Sequence, residues 1–431
     1  MGIKGTIKKY NSRKPFNLLS MIAISISICS IPLHPIISSF FLYYRECLAV
    51  FNMICAVLIV LFGCEIRILR EPIIKWVMFW VIYITASFLF VESRSIYGEP
   101  IEMASQRLYS LSPELYVFGV YLLYVPMFIL LSVRGLTENQ LKSILIVLVI
   151  LSPILLIYQF RFYLDNIYSL VSYVMFYGGR THYNDLPTFY TFVFAACLYL
   201  LSGKLRTLIR ALIVLSMIVS IVYITISTSR QSFFFSFLTL VTYLAMRRIS
   251  LTRSILIVIV VFIIPIFILN MILSAEQKTR VVQRYFTAEI FESDRSRIIT
   301  EGLQSLSTVR EWIFGRGLAS VVYAGPHSNY LRSIQRTGLI GALLLYFPFI
   351  LSFKNALNSL RTMRKQVPND GKDNDLLSLL WLIVIGLAFT LYHSLFSYPT
   401  DEAINAPIVW AMIGIWVAMK PIFTYKVKRK N

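Results

Sequence analysis

The sequence predicts an all-α, polytopic integral membrane protein with about twelve transmembrane helices, and three observations predict it. Hydrophobic residues make up 57% of the 431 and charged residues only 14%, too little charge to cover a soluble domain. Apolar runs such as Ser143–Ile157, Leu208–Ile226 and Ser254–Leu273 approach the roughly 20 residues that cross a bilayer as a helix. Basic clusters fall in every second loop between the runs, the pattern that marks cytoplasmic loops.

In chain order the expected spans are 17–33, 44–63, 75–91, 115–132, 143–160, 186–202, 207–226, 231–246, 254–273, 338–353, 376–393 and 407–424. The first is followed by further spans and lacks a small-residue cleavage site, so it reads as a span and not a cleaved signal. A cytoplasmic N-terminus puts basic clusters inside at every turn, among them Lys4/Lys8/Lys9, Arg67/Arg70/Lys75, Arg247/Arg248/Arg253, Arg361/Arg364/Lys365 and Lys426/Lys428/Arg429/Lys430. The whole of 1–431 is then one transmembrane domain with both ends inside, carrying a shorter outer loop at 161–187 and a long one at 274–337. Cys29, Cys47, Cys55, Cys64 and Cys197 lie in or beside apolar runs and read as small hydrophobes. No His, Cys and carboxylate cluster has ligand spacing, so no metal or cofactor is expected.

Sorting the charges by side separates lysine from arginine. Fourteen of the fifteen lysines fall inside, Lys278 being the exception, while the other outer basic residues are all arginine. These are Arg45, Arg94, Arg107, Arg161, Arg180, Arg230 and eight more between Ser274 and Thr337. A guanidinium grips phosphate bidentately, whereas an ammonium is a hydrated point charge. The outer arginines therefore suit a phosphate-bearing ligand, or else pair with Glu276, Glu289, Glu292, Asp294 and Glu301 or with lipid head groups.

In the long loop, Ser293 reads as an N-cap, and Ile299, Leu303, Leu306, Val309 and Ile313 recur at helical spacing. The expectation is one amphipathic helix on the bilayer, stopped by Gly315-Arg316-Gly317. Beyond it, Pro326-His327-Ser328-Asn329-Tyr330 leads into Gly338 and Gly341, one turn apart and suited to close helix approach. The shorter loop carries Gly178-Gly179-Arg180-Thr181-His182-Tyr183 just before a span. Ser227-Thr228-Ser229-Arg230 forms a tight outer turn, and Arg230 has no acidic neighbour in sequence, so its partner must come from elsewhere in the fold or from a ligand. His34 and His393 read as interfacial or packing residues.

These residues resemble a known pattern. His327-Ser328, nine residues, then Gly338-x-x-Gly341 is similar to the His-[Asn/Ser/Gln]-x9-Gly-x-x-Gly signature of bacterial O-antigen ligases and the related O-antigen polymerases. The lead-in from Arg297 to Trp312-Ile313-Phe314-Gly315-Arg316-Gly317, the Thr228-Ser229-Arg230 turn and Gly179-Arg180 resemble other positions of that superfamily. The resemblance implies a GT-C-like, metal-independent glycosyltransferase at the outer face of a bacterial inner membrane, acting on undecaprenyl-diphosphate-linked oligosaccharides. Carried over by residue, it makes Arg180 and Arg230 the diphosphate ligands and His327 the group that orients or deprotonates the attacking hydroxyl. Arg316, Asn329, Tyr330, Arg332, His182 and Arg161, in the same two loops, are the expected further substrate contacts. The bilayer and a chain-length regulator are the other expected partners; no nucleic acid is expected.

Two arginine-bearing outer loops suit an enzyme that holds two charged lipid-linked substrates, which favours a polymerase. A ligase moving the polymer to lipid A core uses the same donor. A lipid-linked oligosaccharide flippase would call for mid-membrane charges and two matching halves.

Overall fold

In a bilayer every backbone N–H and C=O must be satisfied within the segment that crosses it, which leaves such an apolar chain little but helix. Apart from one hairpin of two two-residue strands, every described element is helical. The computed structural model describes residues 21–30, 44–63, 71–91, 118–165, 175–272, 303–318, 328–366, 374–395 and 405–430, less 120, 123, 135–136, 177–178, 181–184 and 228, together with single positions 33, 37 and 300.

The elements are α1 (Met21–Ser30), α2 (Tyr44–Gly63), α3 (Pro72–Phe90), α4 (Val125–Arg134), α5 (Glu138–Asp165), β1 (Met175–Phe176), β2 (Gly179–Arg180), α6 (Asp185–Leu201), α7 (Thr207–Ile226), α8 (Arg230–Met246), α9 (Leu251–Ile272), α10 (Val309–Phe314), α11 (Asn329–Gln366), α12 (Asn374–His393) and α13 (Ala406–Lys430). Each expected span overlaps one of these helices. Five of them, in α3, α7, α11, α12 and α13, are long and apolar enough by length and composition to cross a membrane. Among the described residues the chain is helical apart from that hairpin, and its long apolar helices are those of a membrane-embedded protein.

Burial follows composition. α6 is apolar on every face, and it is buried from Leu186 to Leu200 between α7, α8 and α12. α12 and α13 form the centre, with Trp381, Phe389, Trp410, Trp416 and Phe423 all fully buried. Glycines set how closely they pack: a Cβ at Gly414 would meet Leu131 and Phe128 of α4, and one at Gly386 would meet Met412. α9 lies at the periphery and turns Leu256, Ile263 and Phe267 outward. Hydroxyls inside the helices return their protons to carbonyls one turn back, as Ser220 does to Ser216 at 2.7 Å and Thr225 to Ile221 at 2.8 Å. Two ion pairs tie distant helices, Lys142–Asp375 at 3.3 Å and Lys420–Glu71 at 2.8 Å.

Two expectations are corrected. The single amphipathic helix through Leu303, Leu306, Val309 and Ile313 is broken: the chain leaves the helical path at Ser305–Thr308 and restarts as α10. The cause is a capping box. Glu311 N–H donates to the Thr308 hydroxyl at 3.2 Å, while the Glu311 carboxylate accepts from Thr308 N–H at 3.2 Å and Ser307 N–H at 2.8 Å. Val309, expected on the apolar stripe, is 75% exposed as a result. Ser293–Ile299 lies outside the described residues.

The second correction concerns the tenth span, expected to open at Gly338. Helix begins at Asn329, and Gly338 is a break inside it, with φ 67° and ψ −176°, a region that only glycine enters readily. Its missing side chain also matters, because a Cβ there would strike the Ile313 carbonyl at the end of α10. Gly341 alone keeps the expected packing role, against Thr337 and the Tyr83 ring of α3.

Candidate functional site

One turn of helix gathers the site region. α12 ends at His393, which is fully buried along with Ser394. The imidazole Nδ1 lies 3.4 Å from the hydroxyl of Thr188, in the first turn of α6. Its ring packs on Phe235 of α8 at 5.5 Å and on Phe389 at 4.6 Å. The Ser394 carbonyl accepts the N–H of Asn329 at 2.8 Å and the Ser328 hydroxyl at 3.4 Å. Tyr330, one position on, donates its hydroxyl to the Leu391 carbonyl at 2.9 Å and packs its ring on Tyr346 at 4.2 Å. The first turns of α6 and α11 and the second turn of α8 thus meet the last turn of α12.

Of the residues singled out in the sequence, Arg230, Asn329, Tyr330 and Arg332 fall on those elements. Arg180 stands on β2, its backbone opposite Met175, five residues ahead of α6. Arg230 is the first residue of α8 and half-buried, behind the buried N-cap Ser229, whose hydroxyl donates to that of Ser232 at 3.1 Å. Thr191 donates to the Ser232 carbonyl at 3.5 Å and so couples α6 to α8 at this level. Asn329 is fully buried, whereas Tyr330 and Arg332 are half-buried. Arg161 lies in the last turns of α5. His327 and His182 lie outside the described residues.

Arg316 has work inside its own loop. Its Nε sits 3.3 Å from the Glu311 carboxylate, its Nη1 donates to the Ser305 carbonyl at 3.1 Å, and its backbone N–H donates to the Gln335 carbonyl at 2.8 Å. Gly315 at φ 80° and Gly317 at φ 97° give the backbone the turns this needs. Residues 303–318 are thereby fastened to the first, pre-kink part of α11. Partial burial pushes the Glu311 carboxyl up, but the Ser307 N–H and hydroxyl, the Thr308 N–H and the Arg316 guanidinium outweigh it and hold the carboxyl below the usual glutamate range.

Two residues stand out here that sequence reasoning passed over. His393 carried no motif and read as packing. Arg336 was one outer arginine among many, yet it is only 2% exposed, with Nη1 3.5 Å from the Tyr121 hydroxyl and its guanidinium carbon 5.8 Å from that ring's centre. The one available hint was its place two residues before Gly338, at the expected mouth of a span.

The junction offers hydroxyls, an amide and an imidazole, with Arg230 at the start of the adjoining α8. Such a set can orient a sugar hydroxyl and hold an anion. Searched against family models the chain matches none, and no curated protein matches it.

Proposed function

We propose that this protein is an O-antigen polymerase, a GT-C-like glycosyltransferase that adds an undecaprenyl-diphosphate-linked glycan to a lipid-linked repeat unit at the outer face of a bacterial inner membrane. It has twelve crossings with both termini inside. The observation that carries the reading is the α12 junction. Its last turn touches α6, which follows Arg180, and α8, which begins with Arg230; its Ser394 carbonyl accepts from Asn329, two residues after His327.

In the reaction the acceptor sugar hydroxyl attacks the anomeric carbon of the donor. A carbon–oxygen bond forms there, and the bond from that carbon to the diphosphate oxygen breaks. The hydroxyl proton passes to the His327 imidazole, which acts as the general base. The diphosphate leaves with the bonding pair, and the added negative charge is met by Arg180 and Arg230, whose fixed positive charges favour the transition state over the ground state. His182, Arg161 and Arg332 complete the binding of the charged, sugar-bearing substrates, while Asn329, Tyr330 and Arg316 hold the walls of the site in place.

The test is extension of a lipid-linked repeat by the purified protein, with Arg180→Ala, Arg230→Ala and His327→Ala measured beside it. Each is expected to lose about a hundredfold or more in rate, the usual scale for removing a general base or a fixed charge that stabilises a leaving group. Wild-type rates in all three variants reject the site. Growth that begins only when lipid A core is supplied makes the protein a ligase, and blocked repeat translocation with intact polymerisation makes it a flippase.

A further inference from the structure

The last carbonyls of a helix have no partner within it. At the end of α12 they are where the opening of α11 is seated. Leu395 N–H closes a tight turn on the Tyr392 carbonyl at 3.1 Å, which leaves the Leu391 carbonyl open to the Tyr330 hydroxyl at 2.9 Å. The Ser394 carbonyl accepts the Asn329 N–H at 2.8 Å and the Ser328 hydroxyl at 3.4 Å. Three consecutive residues are thus fastened to one helix end, and in the sequence they follow His327 directly.

His393 ties that helix end to the rest of the bundle. Its buried ring packs on Phe389 at 4.6 Å and Tyr392 at 5.2 Å within α12, and on Phe235 of α8 at 5.5 Å. A phenylalanine would fill the same aromatic pocket without the cost of burying a polar ring. What the imidazole adds is direction, through Nδ1 at 3.4 Å from the hydroxyl of the fully buried Thr188 in the first turn of α6. One turn further along α6, Thr191 donates to the Ser232 carbonyl of α8 at 3.5 Å, which closes a ring of contacts among the three helices. α6 follows Arg180 in the chain, and α8 begins with Arg230.

We propose that His393 is a positioning residue for the glycosyl transfer. With Thr188 it sets the end of α12, and with it the segment after His327, against the elements that carry the two arginines. The inference rests on the functional reading above and gives His393 no share in the proton transfer. Its effect is geometric: a misplacement of reacting groups by about 1 Å costs on the order of a hundredfold in rate.

Extension of a lipid-linked repeat by the purified full chain tests it, with kcat, KM and Tm measured for His393→Phe, Thr188→Val and the double variant. In each, kcat is expected to fall about tenfold or more while KM for the repeat stays within about twofold. Thr188→Ser keeps the hydroxyl and should bring kcat back to within about threefold of the wild type. The double variant leaves no polar group unpaired across the contact, so its Tm should match the wild type while its kcat stays low. Recovery of kcat together with Tm in the double variant overturns the proposal, because the contact would then serve folding alone. So does wild-type kcat in both single variants. The pH profile of kcat should keep its shape in His393→Phe; a lost limb would make His393 itself the base and overturn the positioning role. Wild-type rates in Arg180→Ala, Arg230→Ala and His327→Ala reject the functional reading and this inference with it, whereas losses there beside wild-type kcat here reject this inference alone. Electron–electron resonance between spin labels at Phe234 and Leu331, in a cysteine-free chain, reads the geometry without activity. The distance distribution should shift or broaden in His393→Phe, and an unchanged one overturns the proposal.

Discussion

Single residues here are decided by backbone conformation and by depth. Gly338 and Gly341 look equivalent as letters, yet only Gly338 has positive φ, and a Cβ there would meet backbone, whereas at Gly341 it would meet the side chains of Thr337 and Tyr83. Gly338→Ala is therefore expected to destabilise by about 1–3 kcal/mol from backbone strain alone, before the clash is counted. Thermal unfolding in detergent should show a clearly lower Tm for Gly338→Ala than for Gly341→Ala; equal Tm values would refute the distinct role of the kink. The histidine motif was legible as spacing, because its letters are local. His393 was not, because its setting comes from Thr188 and Phe235, some 205 and 158 positions away.

Elements depend on local competition as much as on periodicity. The apolar spacing from Ile299 to Ile313 fits a helix, but Thr308 and Glu311 complete a capping box in the middle of it, and the reciprocal hydrogen bonds win. Thr308→Ala should cost about 0.5–2 kcal/mol of local stability, read as faster amide exchange through residues 309–314. The same box gives a pH dependence. The Glu311 carboxyl is depressed in the folded protein, so its contribution is complete above the ordinary glutamate pKa and is lost as pH falls through the lower, folded value. Protection of the Ser307 and Thr308 amides should stay flat across neutral pH and drop only on acidification below the usual glutamate range. Glu311→Gln should abolish that drop. The signal for the break was present in the letters, since Thr-x-x-Glu is a start signal for a helix; periodicity masked it.

For the whole molecule, the expected orientation follows from where lysine and arginine lie. Single cysteines placed at Arg361 and at Val309, in a chain first cleared of its own cysteines, should react with a membrane-impermeant maleimide from opposite sides of sealed vesicles. Reaction of both from one side would overturn the topology. Interhelical ion pairs contribute little by comparison: Lys420–Glu71 is about a third exposed at each end, so Lys420→Met should shift stability by less than about 1 kcal/mol.

The sequence by itself determined that the chain is a bundle of apolar helices and where most of them lie. Burying hydrocarbon and closing backbone hydrogen bonds are demands each segment meets alone, so they are written in local composition. It also marked Arg180, Arg230 and His327 through local motifs. Only the tertiary structure decided the surroundings of the buried His393–Ser394 turn and the burial of Arg336 against Tyr121. Each of these depends on residues tens to hundreds of positions apart, and no local pattern encodes which helix faces pack together.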